Sequence, residues 1–214
     1  MEVHAKYFSV DHEHRLDLRE KGSKFMAYLF PVWTSDAFDR RLGELRREFY
    51  DATHHCSAII RYGNPLIEQT HDDGEPSGTA GLPILNAMRS ANLVNVGLIV
   101  IRYFGGTKLG KSGLIETYGE SARQCISSAS LIPVEEASTI VVTSSYDNLK
   151  TVDLVLSKVE HLRLKSDYLE RVVLTLRVRS EHLDHIVDLL DQVTYTGIRY
   201  ERGEPGLVFA DQDR

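Results

Sequence analysis

Three features of the 214-residue chain predict an α+β fold in two domains. Short apolar runs alternate with amphipathic segments of helical period, giving helices layered on a sheet. The pattern breaks and restarts near Pro133 to Ala137. Beyond the break the elements read β, α, β, β, α, β, the order of the ferredoxin-like split unit. The expected boundaries are 1–133 for the first domain, 134–203 for the ferredoxin-like domain and 204–214 for a disordered tail.

Taken in order, Met1 to Glu20 is polar, with His4, His12 and His14 among charges, and reads as a frayed lead-in carrying one strand at Tyr7 to Val10. Phe25 to Val32 is apolar enough for a buried strand that ends around Pro31. Thr34 or Ser35 offers an N-cap, and Phe38, Leu42, Leu45 and Phe49 recur at helical spacing, with Arg40, Arg41, Arg46 and Arg47 on a solvated face. His55 to Arg61 and Pro65 to Thr70 flank a Tyr-Gly-Asn turn and predict a hairpin. Thr79 caps a helix with Pro83 in its first turn, running to about Ser90. Asn95 to Ile101 is continuously apolar, as a strand covered on both faces would be. Leu114 to Ala129 predicts a helix with Leu114, Tyr118, Ala122, Cys125 and Ile126 inward. The second domain follows as a strand at Thr139 to Ser144, a helix at Tyr146 to Lys158, strands at Leu162 to Lys165 and Leu169 to Arg179, a helix at Glu181 to Gln192 and a strand at Tyr195 to Tyr200.

Two glycine-rich runs stand apart from this pattern, HDDGEPSGTAG from His71 to Gly81 and RYFGGTKLGKSGLIETYG from Arg102 to Gly119. Glycine serves where the backbone takes positive φ or approaches something closely, at a cost in entropy, so such runs point to tight turns or a ligand. The second run sets Arg102, Lys108 and Lys111 beside exposed amides at a helix start, a chemistry suited to anions, with Tyr103 and Phe104 available to stack on a base or to pack the loop. Asp72, Asp73 and Glu75 in the first run either brace the basic loop and backbone amides or face a cationic partner. A divalent-cation reading of these carboxylates lacks the longer calcium-loop pattern. Ser77 and Thr79 read as a turn residue and a helix cap rather than a nucleophile. Gly105 to Ser112 satisfies the literal spacing of a phosphate loop between a strand and a helix, but the surrounding order is not a βαβ nucleotide fold. His54, His55, Cys56 and His71 are the residue types of a zinc site, and packing is the preferred reading for them and for Cys125. No catalytic residue, metal or cofactor is assigned.

Composition bounds the partners. The net charge of −6, divided as −1 over residues 1–133 and −5 over 134–214, argues against a strongly basic nucleic-acid binder and against DNA specificity, so any phosphate reading is local to the first domain. Two cysteines without metal spacing fit a reducing compartment, no run spans a bilayer, and MEVHAKYFSV lacks a secretory pattern, so a cytoplasmic location without membrane partners is expected.

The strings DDGEPSGTAGLPIL, Asp72 to Leu85, and NVGLIVIRYFGGTKLGKSGL, Asn95 to Leu114, resemble the signature of the IMPACT family, whose bacterial branch is called YigZ. KGSKFMAYLFPV, Lys21 to Val32, and ATHHCSAIIRYG, Ala52 to Gly63, extend the resemblance over most of residues 15 to 130. It implies a first domain similar to the second domain of a small-subunit ribosomal protein, a ferredoxin-like second domain similar to one of elongation factor G, and translation-linked regulation. The sequence departs from the family at Lys111, Ser112, Glu116 and Thr117, where members more often carry small residues, then arginine and alanine. Three functions follow as expectations: a non-catalytic regulator that contacts RNA or a ribosomal partner through Arg102, Lys108 and Lys111; a protein-interaction regulator using the acidic loop; or a nucleotide- or metal-dependent enzyme.

Overall fold

The computed structural model describes residues 6–63 and 65–209. His4 of the lead-in, Asn64 of the hairpin turn and residues 210–214 of the expected tail lie outside the described residues. The chain divides into two compact units, residues 1–133 and 134–214.

In the first unit a short strand, β1 (Tyr7–Ser9), precedes a five-stranded sheet of β2 (His14–Glu20), β3 (Ser23–Pro31), β4 (His54–Arg61), β5 (Ile67–His71) and β6 (Val96–Tyr103). Its order is β2-β3-β6-β4-β5, and every neighbouring pair is antiparallel. Helix α1 (Ser35–Glu48) is capped by Thr34, whose hydroxyl accepts from the Ala37 amide, and buries Phe38 and Leu45 against Met26, Tyr28, Phe30, Ile59, Ile99 and Ile101. Alternate side chains of a strand point to opposite faces, so the intervening Phe25, Ala27, Leu29, Leu98 and Val100 form the other surface. There α2 (Gly81–Ser90) and α3 (Gly110–Ser128) pack on the sheet and on each other. The sheet is therefore covered on both faces, which explains the continuous apolar run of β6.

Boundaries depart from the sequence reading in ways that matter for the site. β6 continues through Arg102 and Tyr103, and α3 begins at Gly110 rather than Leu114, so the expected loop shrinks from both ends. The lead-in contains β2, an edge strand whose burial alternates residue by residue and whose outward positions carry Arg15, Asp17 and Arg19. Charges of this kind protect an edge from foreign pairing, and they hid the strand's period in the sequence. Thr79 does not cap α2; its hydroxyl donates to the Pro76 carbonyl.

The second unit places β7 (Ile132–Ser144), β8 (Leu162–Tyr168), β9 (Val172–Arg179) and β10 (Arg199–Phe209) in the order β10-β7-β9-β8, all antiparallel. Helices α4 (Leu149–Leu156) and α5 (Leu183–Asp191) bury Val152, Val155, Ile186 and Leu190 against Ile140, Val142, Leu174 and Leu176. This is the ferredoxin-like arrangement. Residues 204–209, expected in a disordered tail, instead complete β10, where Pro205 to Phe209 pair with Ser138 to Val134 across a bulge. Proline and glycine disguised this stretch, and Pro205 is accommodated at the irregularity. No helix among the described residues is long and apolar enough to cross a membrane.

Candidate functional site

The site grows from one pairing register. On β6, Arg102 lies opposite Phe25 of β3 on one side and His54 of β4 on the other, so all three side chains share the face covered by α3. Arg102 is 5% exposed. A buried guanidinium requires a partner, and Glu75 of the first glycine-rich loop supplies it: Arg102 Nη1 donates to Glu75 Oε1 at 2.6 Å. The same carboxylate oxygen accepts from the hydroxyl of Tyr118 on α3 at 2.8 Å. The Arg102 guanidinium lies 5.4 Å from the ring centre of Phe25 and 5.5 Å from that of Phe104, an aromatic sandwich that shields it from water. Its second terminal nitrogen donates to Ser23 Oγ at 3.4 Å.

Further groups close around this pair. Tyr118 is fully buried and meets the Phe25 ring edge-on, with centroids 5.2 Å apart. Burial pushes its hydroxyl far above the ordinary tyrosine range, reinforced by Cys56 and Glu75. Cys56 Sγ sits 3.3 Å from the Tyr118 hydroxyl oxygen and 3.0 Å from the Asp72 carbonyl oxygen, so its single thiol proton has two acceptors in reach. Burial pushes that thiol up to about 12. His54 Nδ1 lies 2.8 Å from the Asp73 carbonyl; a carbonyl only accepts, so this nitrogen carries the hydrogen and Nε2 faces Glu75 at 3.7 Å.

The other acidic residues are held from inside as well. Asp72 Oδ1 accepts the amides of Ala80 and Gly81 at 3.0 and 2.9 Å, and its Oδ2 accepts that of Gly78 at 2.8 Å. Burial alone would raise this carboxyl; the amides of Gly78, Gly81 and Ala80 outweigh it and hold the group below its ordinary value. Asp72 thus does for α2 what a capping side chain does, binding the unsatisfied donors of its first turn. Asp73, at φ 44°, accepts from the His55 amide at 2.7 Å and from Arg46 at 2.6 Å. His54 and Cys56 lie on one face of β4 and His55 on the other. Among the described residues neither these groups nor the loop carboxylates make a cluster of three converging metal ligands.

The second loop is pinned at its base and open at its tip. The Phe104 amide donates to Thr53 Oγ1 and the Gly105 amide to Ser23 Oγ. Tyr103, on the α1 side of the sheet, donates to Asp51 at 2.7 Å. From Gly106 onward the chain turns outward through Gly106 and Gly110, at φ 87° and 73°, and Lys108, Lys111 and half the Phe104 ring are exposed. Neither lysine forms an ion pair among the described residues. Beside the tip is a cleft of about 190 Å³ lined by Leu18, Lys21 and three carboxylates, Glu20, Glu116 and Glu120.

The ten residues singled out from sequence therefore separate into three groups. Glu75 and Arg102 meet in the interior, so Arg102, expected to face a phosphate, is corrected to an internal ion pair by the two-residue extension of β6. Asp72, Asp73, Tyr103 and Thr79 are engaged within the fold. Ser77, Phe104, Lys108 and Lys111 remain at the surface. Tyr118, Cys56, His54 and Ser23 belong to the same network and were not singled out as its members, because nothing local in the sequence ties residues 23, 54 and 118 together.

A family model described as "Impact N-terminal domain" matches residues 21–126, which contain every group of this network. "IMPACT family member YvyE" of Bacillus subtilis (strain 168) is 28% identical over 92% of this chain and 91% of its own. "IMPACT family member in pol 5'region" of Thermus thermophilus is 37% identical over 73% of this chain and 84% of its own. A solved structure titled "Crystal structure of an hypothetical protein" covers 92% of this chain and 97% of its own with a TM-score of 0.70 at 23% identity, and so shares the fold.

Proposed function

The chain belongs to the IMPACT family, and from that premise we propose that it is a non-catalytic, translation-linked regulator that binds RNA or a ribosome-associated partner through the tip of its second glycine-rich loop. One observation carries this reading: Arg102 is spent on Glu75 in the interior, while Lys108 and Lys111 stand exposed, without an ion-pair partner among the described residues, beside the half-exposed Phe104 ring. The first-turn amides of α3, from Gly110 to Ser112, have no partner within the helix and lie alongside. Cations, free amides and an aromatic face on a pinned loop suit a phosphate next to an unstacked base.

The nucleotide-hydrolase reading has less support, because the strand entering Gly105 belongs to an all-antiparallel sheet rather than a βαβ unit. A protein partner captured by Asp72 and Asp73 also has less support, since both carboxylates are filled by the fold's own donors. The test is a salt titration of binding to single-stranded RNA, structured RNA and ribosomes. Lys108→Glu with Lys111→Glu is expected to weaken binding and to flatten the dependence of log K on log salt by about 1.5, roughly 0.7 to 0.9 per lost phosphate contact. Unchanged affinity and slope in the variant, or no wild-type binding at low salt, would count against the proposal.

A further inference from the structure

The histidines that enter β2 take no part in the loops. We propose that Asp11, His12 and His14 form a binding site for a divalent transition-metal ion of the zinc class. One potential ligand atom from each residue lies within 4.8 Å of the other two. Tetrahedral zinc with bonds of about 2.0 to 2.2 Å sets its ligand atoms about 3.3 to 3.6 Å apart, so side-chain rotations that move these atoms by about 1 Å bring the set to bonding distance. Two imidazoles and one carboxylate favour zinc, nickel or copper over calcium and magnesium, which take mainly oxygen ligands.

The local structure holds the three groups in place. His14 opens β2 and pairs with Leu29, fixing its backbone. His12 precedes it by two residues in the bend that leads into β2, and the two rings stand 4.2 Å apart between centroids. Asp11 Oδ1 lies 2.5 Å from His12 Nδ1. Neighbouring charges are already committed: Glu13, the intervening residue, accepts twice from Arg41, and Arg15 pairs with Asp17. Among the described residues the partner of Asp11 is His12 itself, a contact that a bound metal would replace. A separate observation points to a missing partner, because His14 Nε2 is buried without a hydrogen bond, an arrangement that costs free energy unless something satisfies it. Three protein ligands leave at least one coordination position for water or an external donor.

Calorimetric titration of the untagged full chain with zinc chloride in a non-coordinating buffer tests the site. One equivalent is expected to bind, with affinity about a hundredfold lower in His12→Ala and in His14→Ala and unchanged in the exposed-surface control His185→Ala. His12 is exposed, so its replacement leaves the fold intact, and Asp11→Asn provides a second surface variant expected to bind at least tenfold more weakly. Failure of the wild type to take up zinc in large excess, or an equal stoichiometry and affinity in the His12→Ala/His14→Ala double variant, overturns the assignment.

Discussion

Glu75 accepts hydrogen bonds from Arg102 and Tyr118 on a single oxygen, at 2.6 and 2.8 Å, with its side chain 4% exposed. Removing one member of a buried pair strands the other charge without water, a loss of about 3 to 5 kcal/mol, whereas replacing both by apolar groups of similar size is often neutral. Glu75→Ala is therefore expected to lower stability in urea by about that amount, and Glu75→Leu with Arg102→Met to recover most of it. A single variant within about 1 kcal/mol of the parent would deny the pair its structural role. The sequence already allowed the acidic loop to pair with Arg102; that Glu75 is the carboxylate and that they meet in the interior follows from the end of β6, which turns Arg102 inward. A second expectation concerns alkali. Burial pushes the thiols of Cys56 and Cys125 up to about 12 from an ordinary 9.0, and Tyr118 is raised by the same cause. Above pH 9 the unfolded chain sheds these protons while the folded one keeps them, so stability is full below pH 9 and drains away as pH approaches 12. The loss is about 1.4 kcal/mol per thiol per pH unit. Urea midpoints at pH 7.5 and 10.5 check this, and equal midpoints would contradict it.

At the level of elements, the two loops owe their shape to backbone meeting backbone. Lys21 and Gly22, at φ 45° and 80°, make the two-residue turn between β2 and β3, with the positive φ at both positions that suits the twist of a hairpin. Gly105 lies so close beneath that turn that a Cβ on it would stand 1.9 Å from the Gly22 carbonyl carbon and 2.3 Å from the Ser23 nitrogen. Gly106, by contrast, has open space around it and only its φ of 87° to defend. Gly105→Ala is expected to cost about 2 to 4 kcal/mol and to loosen the Phe104 platform, and Gly106→Ala about 1 to 2 kcal/mol. Equal losses in urea denaturation would show that φ, not contact, sets the loop. The glycines themselves were legible as turns or close approaches. Which was which was not, because the hairpin that crowds Gly105 sits in β2 and β3, some eighty residues away, and β2 was masked by its outward charges. Helix α1 was legible, with Thr34 one of two cap candidates, because its signals are local: a capping hydroxyl and an apolar stripe.

Across the whole chain, the restart near Pro133 was legible for the same reason, since each unit carries its own apolar cluster. Its last strand was less so: β10 owes its extent to pairing with β7 more than sixty residues earlier, and its own Gly-Glu-Pro-Gly run argues for a turn. Charge divides with the fold, 15 basic against 16 acidic groups in residues 1–133 and 10 against 15 in 134–214. Long-range repulsion from the second unit opposes any polyanion, and only local cations on the first can overcome it at moderate salt. Expressed separately, residues 1–133 are expected to keep the Lys108- and Lys111-dependent RNA binding, with equal or higher affinity at low salt than the full chain. Residues 134–214 are expected to unfold cooperatively yet bind no RNA. Circular dichroism melts and the same salt titration on both fragments decide the matter: binding that follows residues 134–214 would move the nucleic-acid surface to the ferredoxin-like sheet, and binding that needs both would mean the loop tip supplies only part of it.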